Sequence, residues 1–167
     1  MSETCECECC CDDCCSEKKH ERLTGTVLKC GSPGFVAFDD TTVAGTTRTL
    51  TALQINTSEF ENPCIQLSVT ANIYIGALGG YNFQIFRLCS DQAAATPVSG
   101  IYGYSRLVAT TETDSFNFTV CDCDCDSCME GCCTYFVVVT VAVPIVLESY
   151  ISNVTLSAIV SENGCDC

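Results

Sequence analysis

Ile65-Gln-Leu-Ser-Val-Thr-Ala-Asn-Ile-Tyr-Ile75 is the stretch that decides the fold. Ile65, Leu67, Val69, Ala71, Ile73 and Ile75 alternate with Gln66, Ser68, Thr70, Asn72 and Tyr74. Successive side chains of a strand point to opposite faces, so a strict period of two gives one apolar face and one polar face, the pattern of a half-buried strand. Phe116, Phe118 and Val120 repeat it against Ser115, Asn117 and Thr119. Residues 135–143 are apolar on both faces apart from Thr140, which predicts a central strand or one covered by a partner. Residues 81–88 begin in phase at Tyr81, Phe83 and Ile85 and then slip at Phe86 and Leu88, which predicts a β-bulge.

Residues 26–30, 35–38, 48–55, 101–108 and 154–160 are shorter strand candidates. Turn chemistry separates them: Gly31-Ser-Pro-Gly34, Asn62-Pro63, Gly79-Gly80, Thr96-Pro97 and Ser99-Gly100. Nothing repeats near 3.6 residues, and residues 91–95 make one helical turn at most. The expectation is an all-β chain: a single β-sandwich of about eight or nine strands over residues 23–162, of jelly-roll or Greek-key type.

The cysteines do not follow this pattern. There are 18 in 167 residues, and they are bunched. Cys5, Cys7, Cys9, Cys10, Cys11, Cys14 and Cys15 crowd an N-terminal segment, 1–22, whose acidic, low-complexity composition predicts an extended or disordered connector arm. Cys121, Cys123, Cys125, Cys128, Cys132 and Cys133 form a second group between two strong strand candidates, and Cys165 and Cys167 lie in a short tail, 163–167. Cys30, Cys64 and Cys89 stand alone at strand edges. A chain of this length buries a core without needing disulfides, so most of these thiols call for another role.

Adjacent cysteines bridge poorly to one another but readily to partners elsewhere. The arm therefore suits covalent capture of neighbouring chains. Thiolate metal binding, iron–sulfur ligation and a passive reduced tail are the alternatives. In the second group, Cys125-x-x-Cys128 has zinc-knuckle spacing, and Cys132 and Cys133 could complete a tetrad. No second Cys-x-x-Cys lies at finger spacing, and local disulfides or bonds to another subunit's arm compete with the metal. For Cys30, Cys64 and Cys89 the choice is between a small buried residue and a bridge to each other or to an incoming arm.

Composition excludes several functions. Twenty-one acidic residues against seven basic ones, a net charge of −14, argue against nucleic acid and anionic membranes as partners. The longest apolar run is too short to span a bilayer, and residues 1–6 lack the features of a secretory signal. Extracellular-type cysteine usage without such an address leaves three routes: a signal outside this sequence, a cytosolic metal-binding role, or release by lysis. Catalysis has little basis. His20 is the single histidine and sits in a charged segment, while Asp39, Asp40, Glu59 and Glu61 read as solvated loop acids. No phosphate-binding glycine pattern opens a helix. The expectation is a non-enzyme with no cofactor, zinc or another thiophilic metal being the alternative.

Leu28-Lys-Cys-Gly, Phe86-Arg-Leu-Cys, Asp114-Ser-Phe-Asn-Phe and above all Cys132-Cys-Thr-Tyr-Phe-Val-Val-Val resemble a poorly characterised family of cysteine-rich proteins from spore-forming, Clostridia-type bacteria. In layout the chain is similar to the endospore appendage pilins of Bacillus relatives, where a cysteine-bearing connector precedes a jelly roll and subunits form disulfide-linked fibres. That resemblance implies a homopolymer on the spore surface, with Cys9, Cys10, Cys14 and Cys15 as connector thiols and a receiving cysteine in the body. It also implies synthesis in the mother cell without a signal, exposure on lysis and a possible spore-coat anchor. The rival readings are a thiolate metal-binding protein and a non-polymerising spore-coat cross-linker.

Overall fold

Strand β4 (Cys64–Ile75) forms as its alternation dictates. Ile65, Leu67, Val69, Ile73 and Ile75 are fully buried, each contributing roughly 1.5–3 kcal/mol by leaving water. The computed structural model describes residues 25–58, 60, 62–108, 112–123 and 131–162. These hold nine further strands: β1 (Thr26–Cys30), β2 (Gly34–Phe38), β3 (Thr47–Asn56), β5 (Gly79–Cys89), β6 (Thr96–Pro97), β7 (Tyr102–Arg106), β8 (Thr113–Asp122), β9 (Cys132–Val143) and β10 (Ser149–Ser161).

The strands make two antiparallel sheets. Sheet A runs β1-β10-β4-β8, with β2 also pairing β10; sheet B runs β3-β9-β5-β6, with β7 also pairing β5. β1 and β2 together flank one long strand, as do β6 and β7, so each pair acts as a single broken edge. Merging them leaves eight strands in spatial order 1-8-3-6 and 2-7-4-5. That is the double Greek key of a jelly roll. The break between β1 and β2 falls at Gly31–Pro33, and Thr96-Pro97, expected as a turn, adds the tenth strand. Gly34 sits so close to β3 that a Cβ would lie 1.9 Å from the Leu50 carbonyl oxygen.

The inner faces meet in one core. Its largest fully buried side chains are Tyr81, Tyr135 and Phe83. Strand β9 lies between β3 and β5, as its two apolar faces predicted, with Tyr135, Val137, Val139 and Val141 inward. The bulge expected near Phe86 is absent: β5 and β9 stay in register from Tyr81 to Cys89, and the shift lies at Gly80/Tyr81. Phe86 and Leu88 point outward and Arg87 inward, so the apparent slip is a charged residue occupying a core position. Register also shifts in β3 between Thr49 and Thr51, and in β10 between Ser152 and Thr155, where Asn153 has φ 51°.

Candidate functional site

Strand directions bring the cysteine-bearing parts of the body to one end. In sheet A, Cys64 opens β4 opposite Ser161 at the end of β10, Ser161 faces Thr26 at the start of β1, and Ile65 faces Asp122 at the end of β8. In sheet B, Cys89 closes β5 opposite Cys133, and Asn56 closes β3 opposite Cys132. Residues 1–24, 124–130 and 163–167 therefore all join the described body at this end. Cys5, Cys7, Cys9, Cys10, Cys11, Cys14, Cys15, Cys125, Cys128, Cys165 and Cys167 belong to those segments and lie outside the described residues, as do His20, Glu59 and Glu61.

Among the described residues, two disulfides close this end, one in each sheet: Cys64–Cys123 joins β4 to the end of β8, and Cys89–Cys133 joins β5 to β9. They link neighbouring strands on both sides of segment 124–130. With Cys133 bonded to Cys89, the tetrad Cys125, Cys128, Cys132 and Cys133 lacks one thiolate while that bond is intact. Cys30 and Cys121 carry exposed thiols. Both belong to the outward-facing set of sheet A, on its opposite edge strands β1 and β8: Cys30 pairs with Ser157, and Cys121 with Gln66.

Beneath the disulfides, a polar cluster ties the sheets together. Arg87 Nη1 of β5 donates to Asp122 Oδ2 and Oδ1 of β8 at 2.9 and 3.2 Å, and Tyr135 Oη of β9 donates to Asp122 Oδ2 at 2.8 Å. Burial opposes the Arg87 charge, but the Asp122 carboxylate and Tyr135 outweigh it and hold the guanidinium protonated. Burial first, then the Asp122 charge, pushes the Tyr135 phenol far above its ordinary value.

A second cluster clamps the other end of β8, where Tyr104 and Arg106 of β7 both donate to Asp114 Oδ2. Arg106 Nη1 also donates to the Glu112 carbonyl at 2.9 Å. Hydrogen bonds from Tyr104 and Arg106 hold the Asp114 carboxyl below its ordinary value, while burial and the bond to Asp114 push Tyr104 up to about 12.

Neither cluster was singled out from the sequence. Arg87 offered one signal, by falling in phase with Tyr81, Phe83 and Ile85. Asp114 and Asp122, eight positions apart on β8, offered none, since their partners come from other strands. A shallow cavity of about 330 Å³ at the far end is lined by Ala37, Phe38, Asp39, Asp40, Leu147 and Glu148. There the Asp39 carboxylate accepts from the Thr41 N–H at 3.0 Å and from the Thr41 hydroxyl at 2.6 Å, so it caps its own turn. No group of three or more potential metal-ligating side chains occurs among the described residues. No helix there is long and apolar enough to cross a membrane.

The geometry defines a disulfide-stapled jelly roll whose described joints to the cysteine-bearing segments lie at one pole. The chain belongs to the family described as "Domain of unknown function (DUF4489)", whose profile matches residues 24–161. Curated proteins gave no match. Among solved structures, the fold is similar to that of the infectious bursal disease virus Gx strain, with TM-score 0.57 and 11% identity over 84% of this chain and 34% of the viral one. It is also similar to the T=1 particles derived from that virus, with TM-score 0.56 and 10% identity over 83% of this chain and 32% of the viral one. The chain thus spans about a third of each viral chain, and at such identities the likeness is one of fold.

Proposed function

We propose that this protein is a structural subunit that assembles with copies of itself into a disulfide-cross-linked extracellular filament on the spore surface. The observation that carries the reading is that the described residues at which the three cysteine-rich segments join the sandwich all lie at one pole. An arm leaving that pole reaches a neighbour while its own body stays closed by Cys64–Cys123 and Cys89–Cys133. Cys30 and Cys121, exposed on opposite edges of sheet A, are receiving positions outside those staples.

The edges support assembly as well. In each sheet one edge strand is broken, while β8 and β3, ten residues each, are continuous. Long continuous edges offer backbone groups to an added strand. Sheet A alternates direction from β1 through β10 and β4 to β8, so β8 of one subunit and β1 of a copy related by translation run antiparallel. A head-to-tail contact of this kind does not close on itself and generates an open polymer. The assembly uses no cofactor, no nucleic acid and no membrane.

The test is negative-stain electron microscopy of the full-length protein oxidised in the presence of a chelator. Uniform filaments that survive boiling in denaturant and dissolve in added thiol are expected. Discrete particles alone would overturn the reading and turn attention to metal content in the reduced protein.

A further inference from the structure

The two described disulfides differ in the face they occupy. Cys64 shares its side of β4 with Gln66 and Ser68, and Cys123, one residue past β8, continues the outward set that holds Thr119 and Cys121. The Cys64–Cys123 bond therefore lies on the outer face of sheet A, between Cα atoms 4.3 Å apart. Cys89 instead falls in phase with Ile85 and Arg87, and Cys133 with Tyr135. The Cys89–Cys133 bond is thus inward, with Cys133 2% exposed and Cys89 packed against the core. Cys132 precedes Cys133 but belongs to the opposite face of β9.

The outer bond has a thiol beside it. Cys121 carries an exposed free thiol and stands two residues before Cys123, on the same side of the chain. At about 3.3 Å rise per residue their Cα atoms are about 6.6 Å apart, inside the range of roughly 4.4–6.8 Å that a disulfide spans. Ile65 pairs with Asp122 and Gln66 with Cys121, so Cys64 lies diagonal to Cys121. Such diagonal neighbours are about 7–8 Å apart, too far to bridge without moving the backbone. Approach to the bond is one-sided as well. Ser161 of β10 flanks Cys64, whereas β8 is an edge of sheet A with no described strand paired beyond it. A thiolate attacks one sulfur of a disulfide from the side away from the other. The open line leads to Cys123, with Cys64 as the leaving group.

We infer that Cys64, Cys121 and Cys123 form a thiol–disulfide exchange relay whose substrate is an accessible thiol. An incoming thiolate bonds to Cys123 Sγ, and the Cys64–Cys123 bond breaks with its electron pair on Cys64, which takes up a proton. Cys121 gives up its proton, attacks Cys123 Sγ and expels the incoming group as a thiolate. The products are a Cys121–Cys123 disulfide, a Cys64 thiol and the original thiol, so one disulfide replaces another and no oxidant is consumed. The exchange unstaples β4 from β8 and sets a Cys64 thiol at the cysteine pole. Cys89–Cys133, turned into the core, has no described thiol on its face and stays as the fixed staple. The relay needs no second copy of the chain and does not rest on the filament.

The experiment incubates the full chain with glutathione, quenches with N-ethylmaleimide to alkylate every thiol, and maps the bonds by tandem mass spectrometry. Cys64 is expected to become alkylated about tenfold or more faster than Cys89 or Cys133, with Cys121 bonded to Cys123. In Cys121→Ser the second step is blocked, so glutathione should be found on Cys123 with Cys64 alkylated. That substitution alters an exposed position, and near-ultraviolet circular dichroism establishes that it folds; the map of the unsubstituted protein decides the matter if it does not. Alkylation of Cys64 and Cys89 at equal rates, or a Cys64 that stays bonded to Cys123, overturns the exchange site. Glutathione retained on Cys123 of the unsubstituted protein, or Cys123 bonded to a cysteine other than Cys121, overturns the relay. The filament is scored separately by microscopy: filaments from a protein whose Cys64–Cys123 bond never exchanges sink the relay alone, and exchange without filaments on oxidation sinks the fibre alone.

Discussion

Replacing Asp122 by Ala removes the carboxylate that joins the sheets beneath the disulfide pole. Arg87 and Asp122 are only 7% and 8% exposed, and the carboxylate accepts from Arg87 and from the Tyr135 hydroxyl. An exposed ion pair would be worth at most about 1 kcal/mol. Here the substitution leaves a guanidinium and a phenol buried with their principal acceptor gone, and losing one partner of such a buried pair costs about 3–5 kcal/mol. At roughly 3 °C per kcal/mol for a domain of this size, Tm should fall by about 10–15 °C. The companion variant Arg87→Met/Asp122→Leu removes both charges, and because paired apolar replacement of a buried ion pair is often neutral or better, it should recover most of the loss. The assay is urea and thermal unfolding of Asp122→Ala, Arg87→Met and the double variant, with disulfide content verified because Cys123 is adjacent. A loss below about 1 kcal/mol for Asp122→Ala, or a double variant as unstable as the sum of the singles, would refute the reasoning.

Three further outcomes are expected. Converting Cys89 and Cys133 together to Ser opens a loop of 44 residues and should cost about 4 kcal/mol on the chain-entropy account, read from urea unfolding midpoints. Gly34→Ala places a Cβ 1.9 Å from the Leu50 oxygen, so β2 must move off β3 at a cost of about 1–3 kcal/mol, read as a drop in Tm. Stability should also decline at both pH extremes. Asp114 is held below its ordinary 3.8, so its contribution is present above that value and lost as pH falls through the folded one; Tyr104, raised to about 12, contributes fully below its ordinary 10.0 and loses that contribution as pH climbs toward 12. Asp114→Asn and Tyr104→Phe should flatten the acid and alkaline limbs respectively in Tm measured against pH.

The sandwich was legible because β4, β8 and β9 report burial by period, and hydrophobic period is a local property of the chain. What escaped was non-local. The bulge in β10 separates Ile151 from Val154 by three positions, so only the part of the strand after it, residues 154–160, stood out in the sequence. In β5 the opposite error arose, since Arg87 faces the core and made an unbroken alternation look broken. The cysteine positions were plain from the start, but the pairing of Cys64 with Cys123 and Cys89 with Cys133 depends on which strands become neighbours, and periodicity carries no trace of that.

With both described disulfides and the joints of the cysteine-bearing segments at one end, the body has the polarity of an arrow. Its opposite tip is built from the turns after Ile75, after Phe38 and after Val143, and no described cysteine lies among them. A foreign peptide grafted between Gly76 and Gly79 would sit at that tip, away from thiol exchange. In the proposed filament it would be displayed once per repeat and always facing the same way.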